Sequence, residues 1–299
     1  QFRPDVLLAL GNRGLFDPPC PQAIYVKDSH YCYPRRFYGR ETARNTLVFA
    51  VQKRILQVQL RRTQLLLCQT PVMERRLRRA MGYRGRAAIC PNAVSRFTAA
   101  GRAGAEMPQP LKPLAGKMRL LYVTRFYAHK NFEGILELFD QHRRELAGVV
   151  LIVTIAAEQH PNAPAFLEAV RRRGLAEQIV NVGPLAQTAL AGYYRHCHAL
   201  FMPTLLESFS GSYLEAMHFG VPILTSDLDF AHVICGEAAL YFDSWDPASM
   251  KDRILQLKGD ADLAGELAAR GRQRLRKASA SFDDNVSRVL RLLREMVRD

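Results

Sequence analysis

The chain has 299 residues, 48% apolar and 23% charged, enough for two domains with cores of their own and ordinary for a globular protein. Its longest uncharged apolar run, Leu146 to Ala157, is too short to cross a bilayer as a helix, and no signal-peptide pattern opens the chain. The net charge of +14 is lopsided: residues 1–117 carry 21 Lys/Arg against 6 Asp/Glu, while residues 118–299 carry 21 against 22. Such a field attracts anionic lipid, phosphate-bearing acceptors or nucleic acid. Neither zinc spacing nor an aromatic RNA-binding strand accompanies it, so an anionic membrane surface or a lipid-phosphate acceptor is the expected partner and nucleic acid is not. The six cysteines (20, 32, 68, 90, 197, 235) form no Cys-x2-Cys pair. They read as reduced core residues of a cytosolic protein. The chain opens on Gln1 rather than Met, which reads as a fragment or a trimmed chain.

In chain order, Pro4 to Leu10 and Ala23 to Val26 read as short buried strands. Residues 41–62 predict a long basic helix whose apolar positions Leu47, Val51, Ile55 and Val58 recur at helical spacing. Leu65 to Cys68 is a further strand, Thr70 caps a helix through Arg79 with Pro71 in its first turn, and Ala87 to Cys90 is a fourth strand. Residues 95–117, rich in Ala, Gly and Pro, predict a linker. A second domain then opens with a strand from Arg119 to Thr124 that ends at Arg125, with a helix from Phe132. Further strands are expected at Val149 to Ile155, Ile179 to Gly183, Ala199 to Met202, Pro222 to Thr225 and Ala239 to Phe242. Helices are expected at Leu190 to His196, after Asp246-Pro247 and from Leu263 to Lys277. Phe282, Val286, Val289, Leu293 and Val297 mark one face of a closing helix. Alternating strands and helices argue two parallel-sheet domains of α/β class.

The stretch Pro203 to Ser226, PTLLESFSGSYLEAMHFGVPILTS, carries the chemistry. It reads as strand, loop, helix and strand, with Gly220 and Pro222 ending the helix. A helix opening near Ser212 leaves backbone N–H groups without helical partners, and its dipole favours an anion. Ser210, Gly211 and Ser212 let a ligand approach the backbone, and Glu207 and Glu215 flank the cradle. That suits a sugar bearing a phosphate. From spacing alone the stretch is equally a capped surface helix with two solvated glutamates.

The stretch resembles the Glu-x7-Glu signature of retaining GT-B glycosyltransferases, the group 1 or family 4-like enzymes, keeping Pro203, Glu207, Phe209, Leu214, Glu215, Ala216, Met217, Gly220, Pro222 and Ser226. It departs at Ser208 and Ser210, where glycines are usual. The resemblance implies a GT-B fold of two Rossmann-like domains facing a cleft. The boundaries are 1–116 for a short acceptor-side domain with linker, 117–277 for the donor-binding domain, and 278–299 for a helix crossing back. It implies transfer from a nucleoside-diphosphate sugar to a glycan, lipid-linked or other hydroxyl acceptor, in bacterial surface polysaccharide or glycolipid synthesis. The place would be the cytoplasm or, as a peripheral protein, the inner face of the membrane. A nucleotide-sugar-binding module that is non-catalytic or depends on a partner is the alternative.

By the same resemblance Arg125 and Lys130 grip the donor diphosphate, which a planar fork and a point charge can do. Glu215 holds the ribose, Glu207 the sugar hydroxyls near the anomeric carbon, and Ser208, Phe209, Ser210, Gly211 and Ser212 the sugar or its phosphate. Gly183 lies near the base. Two cations can do a metal's work, so no metal and no cofactor are expected. Related strands end in a His-Asp pair near the transferred sugar. Here Lys27 stands at the histidine place, leaving Asp28 and His30 as acceptor-side residues; a loop histidine against Tyr31 and Tyr33 is the plainer reading. Ile89-Cys90-Pro91-Asn92-Ala93-Val94 resembles the family's I-P-N-G-V passage. Four strands are expected before the linker, fewer than in an intact first domain of these enzymes.

Overall fold

The computed structural model describes residues 3–94, 106–278 and 281–298. The chain divides into two compact units: Gln1–Ala93 with Leu206–Ser210 and Ala280–Asp299, and Val94–Leu205 with Gly211–Ser279. The expected linker at 95–117 lies outside the described residues as far as 105. Beyond it, Gln109–Leu114 winds into a 3-10 turn that buries Leu111 and Leu114.

The first unit is built on a four-stranded parallel sheet in sequence order: β1 (Leu7–Ala9), β2 (Gln22–Val26), β3 (Leu65–Cys68) and β4 (Arg86–Ile89). β3 is buried along its whole length, as expected of a parallel strand covered on both faces. Two helices connect the strands, α1 (Ala43–Gln59) and α2 (Pro71–Met81). The Thr42 hydroxyl accepts from the Asn45 N–H to start α1, and the Thr70 hydroxyl accepts from the Met73 N–H to start α2.

The face of α1 is not the one its periodicity predicts. Leu47 and Val51 stand in solvent. The buried side instead carries Leu56, Gln59 and Leu60, with Phe49 stacked on His30 and Gln52 accepting from the Tyr31 hydroxyl. Gln59 can turn inward because it exchanges both hydrogen bonds with Gly14: its amide donates to the Gly14 carbonyl (2.6 Å) and its oxygen accepts from the Gly14 N–H (3.2 Å).

The closing helix, α10 (Phe282–Arg298), packs within this unit. Leu293 and Met296 join Ala23, Leu65, Leu67 and Cys90 in one cluster, with Val289 and Leu292 beside them. Burying each of those two side chains stabilises by roughly 1.5–3 kcal/mol. Phe282, Val286 and Val297, expected on the packed face, are exposed. The stripe that packs is Val289, Leu292, Leu293 and Met296, which follows the same period a little further round the helix. Asn285 fixes that phase by donating to the Pro91 carbonyl (2.9 Å).

The second unit holds a six-stranded parallel sheet ordered β10-β9-β8-β5-β6-β7. Its strands are β5 (Met118–Tyr122), β6 (Val149–Val153), β7 (Ile179–Asn181), β8 (Ala199–Met202), β9 (Ile223–Ser226) and β10 (Ala239–Phe242). The helices between them are α3 (Phe132–Gln141), α4 (Ala163–Arg172), α5 (Leu190–His196), α6 (Gly211–Phe219), α7 (Asp229–Cys235), α8 (Pro247–Gly259) and α9 (Ala261–Ala278). Sequence periodicity did not predict α4, whose inward residues are only Ala163, Phe166 and Val170. Phe166 anchors that helix, meeting Phe132 at 4.9 Å in a cluster with Phe126. At the end of α6 the left-handed Gly220 (φ 67°) turns the chain into β9, and the Arg272 guanidinium fills the space where a Cβ would project. Five of the six cysteines are buried. Among the described residues no helix is long and apolar enough to cross a membrane.

Candidate active site

Strand order alone locates a crevice in the second unit. The chain leaves β5 for β6 and β7 on one side, then returns to lay β8 on the other side of β5. Connections that depart in opposite directions open a space outside the carboxyl ends of the two strands, where parallel sheets hold ligands. The segment Val123–Asn131 follows β5, and Pro203–Leu205 follows β8.

After β5 the chain exposes Arg125, buries Phe126 against Phe132 (4.3 Å, stacked), and turns through Ala128–Lys130 as a 3-10 helix. Three backbone anchors hold this turn. The Tyr122 hydroxyl donates to the Lys130 carbonyl (3.0 Å), and the His129 carbonyl accepts from the Leu205 N–H (2.8 Å) and the Thr204 hydroxyl (3.2 Å). Asn131 follows in the left-handed region (φ 59°, ψ 42°); its oxygen accepts from the Gly134 N–H to cap α3, and its amide donates to the Ser244 carbonyl (2.7 Å). A Cβ on Gly134 would stand 2.6 Å from the Asn131 side-chain amide, so that glycine is what lets the cap form. Ser244 continues the network to Ser226 (2.6 Å), whose hydroxyl donates to the Thr204 carbonyl (2.5 Å). Loops after β5, β8, β9 and β10 are thereby tied by buried polar groups, which rigidify when all are satisfied. Lys130 stands on that scaffold. Sequence reasoning missed Asn131, Gly134, Thr204 and Ser244, and placed Ser226 in the signature without this role; an Asn followed three residues later by Gly at a helix start was the available signal.

α6 begins at Gly211, one residue before the expected Ser212. The Ser212 hydroxyl reaches the Val123 carbonyl (3.5 Å), which ties this helix start to the end of β5. One turn on, the half-exposed Glu215 accepts from the Tyr194 hydroxyl (2.9 Å). Burial first, and the Glu215 carboxylate second, hold that hydroxyl well above the ordinary tyrosine range, so it remains a proton donor to the carboxylate. Its ring stacks on Phe219 (5.4 Å). Tyr194, on α5, carried no signal in the sequence. Gly183 sits at the same end of the sheet, just past the edge strand β7, in the left-handed region (φ 74°), two strands from β5.

Glu207, Ser208, Phe209 and Ser210 belong to the first unit, whereas Glu215 belongs to the second. A closed relay of side chains holds them there. The Ser208 hydroxyl donates to Gln69 (2.8 Å), the Gln69 amide to Asn92 (2.7 Å), and the Asn92 amide to the Phe209 carbonyl (3.3 Å). Gln69 and Asn92 follow β3 and β4, so the relay sits at the carboxyl ends of the first sheet. Ser208, a departure from the signature that the stretch resembles, uses its hydroxyl as an anchor. Asn92 lies in the Pro91-Asn92 passage that the resemblance singled out; Gln69 was not foreseen.

At the end of β2 the Asp28 carboxylate accepts from the His30 N–H (3.0 Å) and pairs with its ring at Nδ1 (2.8 Å). In the neutral ring this keeps the proton on Nδ1. His30 is 8% exposed, lying flat on Phe49 (4.0 Å) with Tyr38 edge-on. Phe49 and Tyr38 are ring neighbours of His30 that the sequence did not foresee. Asp-x-Asp spacings occur at Asp227-Leu228-Asp229 and Asp260-Ala261-Asp262; Asp227 pairs with His232 Nε2 (2.6 Å) and Asp260 accepts from the Leu263 N–H (2.8 Å). His198 accepts the Arg119 N–H at Nδ1 (2.9 Å).

The second unit is thus a parallel α/β sheet with Arg125, Lys130 and the start of α6 at the carboxyl ends of its strands. Residues 117–260 match the family model described as Glycosyl transferases group 1, and that segment is a domain of this family. A 2-deoxystreptamine N-acetyl-D-glucosaminyltransferase of Niallia circulans is 23% identical over 164 residues, covering 53% of this chain and 41% of that protein. The chain thus spans less than half the length of that curated relative. Sucrose-phosphate synthase from Thermosynechococcus elongatus superposes with a TM-score of 0.75 at 17% identity, covering 93% of this chain and 68% of that one. Anabaena HepE, solved with UDP and glucose, gives 0.72 at 13% identity, covering 91% and 71%. The fold is that of these GT-B proteins: two parallel-sheet α/β units.

Proposed function

We propose that the chain is a retaining glycosyltransferase that takes its sugar from a nucleoside diphosphate. The observation that carries this is the Arg125–Lys130 loop at the β5/β8 switch point, locked by Asn131, Thr204 and Ser244 beside the start of α6. Arg125 and Lys130 bind the diphosphate and stabilise the charge that develops on it as it leaves, which two fixed cations can do without a metal. Glu215, oriented by Tyr194, holds the ribose. Glu207, oriented through Ser208 and Gln69, holds sugar hydroxyls beside the anomeric carbon. The N–H groups from Phe209 to Ser212 cradle the sugar or its phosphate, and the base lies toward Gly183. The acceptor hydroxyl attacks on the face the diphosphate leaves, and the departing oxygen takes its proton. Asp28 and His30 stand on the acceptor side.

The acceptor is a glycan or a lipid-linked phosphate, and the basic first unit suits an enzyme of surface polysaccharide or glycolipid synthesis at the inner face of a bacterial membrane. A second reading, a nucleotide-sugar-binding module that needs a partner chain, is favoured by the burial of His30 under Phe49 and Tyr38. Calorimetric titration with UDP, GDP, ADP and dTDP tests the donor site. One of them binds, and Lys130→Ala weakens it about 10- to 100-fold, as removal of a charge-assisted hydrogen bond implies. The fold survives, because the Tyr122 anchor is to the Lys130 backbone. Unaltered affinity in the variant refutes the assignment. Donor hydrolysis or transfer by the wild type decides between the two readings.

A further inference from the structure

The outward side of α1 carries a pattern that the fold does not use. Arg44, Leu47, Val51 and Arg54 recur at helical spacing and share one side of the helix. All four are exposed, Leu47 at 66% and Val51 at 52%, with Val48 beside them at 40%. Three aliphatic side chains on two successive turns therefore stand in water, framed by an arginine at each end. One exposed aliphatic is ordinary; a framed group marks an interaction surface.

The surrounding charge says what it meets. From Arg35 to Arg62 the chain carries eight Lys/Arg and one acidic residue, Glu41. Seven of the eight cations are exposed. The Glu41 carboxylate accepts from the Thr42 N–H and the Asn45 amide (2.8 Å each), at the start of the helix. A second copy of this face meeting it about a two-fold axis would set cations against cations. A nucleic-acid backbone would use the arginines but offers the aliphatic group nothing.

We propose that this side of α1 seats the protein on a lipid surface rich in anionic headgroups. Leu47, Val48 and Val51 enter the boundary between headgroups and acyl chains, and Arg44 and Arg54 reach back along their aliphatic stems to pair with lipid phosphates. Arginine's planar fork suits that pairing. The inference deepens the membrane-side part of the function proposed above, but its test needs no sugar transfer, so the two fail separately.

The test is flotation with phosphatidylcholine vesicles and with vesicles in which phosphatidylglycerol replaces part of that lipid. The protein floats with the anionic vesicles, and less so as salt rises. Leu47→Ser with Val51→Ser lowers partitioning by at least about tenfold, because two apolar side chains no longer leave water for the acyl boundary, and keeps the salt dependence as it was. Arg44→Gln with Arg54→Gln lowers it about fivefold per cation and flattens the salt dependence. Arg172→Gln, an exposed charge on α4, changes nothing. Melting temperatures stay level, since every substituted side chain is exposed. Equal flotation with neutral and anionic vesicles overturns the proposal. So does full binding by the Leu47/Val51 variant, which would mean charge attraction alone. A concentration-dependent dimer that this variant abolishes without altering flotation would assign the surface to a second copy instead, and would equally overturn it.

Discussion

Asn131 is the residue on which the geometry of the Lys130 turn rests, and replacing it separates three effects. Asn131→Ala puts an alanine in the left-handed region, at about 1–2 kcal/mol. It removes the cap of α3, about 1 kcal/mol. It also strands the Ser244 carbonyl, 2% exposed at its residue, at about 1–3 kcal/mol. The sum is roughly 3–6 kcal/mol, a fall in melting temperature of about 10 °C or more for a unit of this size. Asn131→Gly keeps the backbone relaxed and most of the capping preference, so it loses chiefly the Ser244 bond, about half as much. Urea unfolding at unchanged m-value measures both.

Gly134→Ala supplies a sign test. In the wild type the new Cβ would press on the Asn131 amide 2.6 Å away, so the variant is destabilised. In the Asn131→Gly background the obstruction is gone, and alanine in place of glycine within α3 stabilises by roughly 1 kcal/mol. If Gly134→Ala costs the same in both backgrounds, or Asn131→Ala and Asn131→Gly are equally stable, the reasoning is refuted.

Gly211→Ala meets no atom within 4 Å, so it leaves the melting temperature level or slightly raised. If the start of α6 cradles a phosphate, it weakens nucleotide affinity about tenfold or more, read by titration. Tyr194→Phe keeps the stack on Phe219 but frees one bond to Glu215; nucleotide affinity falls roughly three- to tenfold, and unaltered affinity would show that Glu215 needs no orienting. Glu207→Gln lowers kcat more than it raises the donor KM, and Glu215→Ala does the reverse, because charge grows at the anomeric carbon and not at the ribose; a Glu207→Gln enzyme with the wild-type rate would make that carboxylate a solvated side chain.

Where the sequence was legible, local chemistry decided the outcome. Thr70 before Pro71, Asp246 before Pro247 and Gly220 before Pro222 are signals that act within a few residues, and each marks an observed helix end. Apolar runs such as Leu65 to Cys68 are buried whichever way they face, so phase was not needed to find them. Arg125, Lys130, Glu207 and Glu215 could be singled out as candidates because they sit in short patterns. Their supports could not. Tyr194 serves Glu215 from 21 positions away, Ser244 serves Asn131 from 113, and Gln69 serves Ser208 from 139. Nothing in a single strand or helix distinguishes such a partner from any other polar residue. In α4 the failure was local: Asn162 makes no side-chain cap, and its inward residues are too few to set a period.

α1 shows why periodicity can select the wrong side. Two stripes compete on it. Leu47, Val51, Ile55 and Val58 are aliphatic and regular, and transfer free energy alone would bury them. The stripe that turns inward holds the buried Leu56, Gln59 and Leu60 with the half-buried Phe49 and Gln52. A buried glutamine costs a few kcal/mol when unpaired and little when paired. Gln59 is paired twice to Gly14, and Gln52 once to the Tyr31 hydroxyl. Phe49 adds the stack on His30, worth about 0.5–1.5 kcal/mol beyond its area. Burying Leu56 and Leu60 matches what Leu47 and Val51 would gain by turning inward, about 1.5–3 kcal/mol each at full burial, and the specific partners tip the balance. Exposing Leu47 and Val51 forgoes that gain in the free protein. The forgone burial becomes available to whatever the face meets, which is why the same two residues that misled the periodicity are the ones whose replacement by serine tests for a lipid surface.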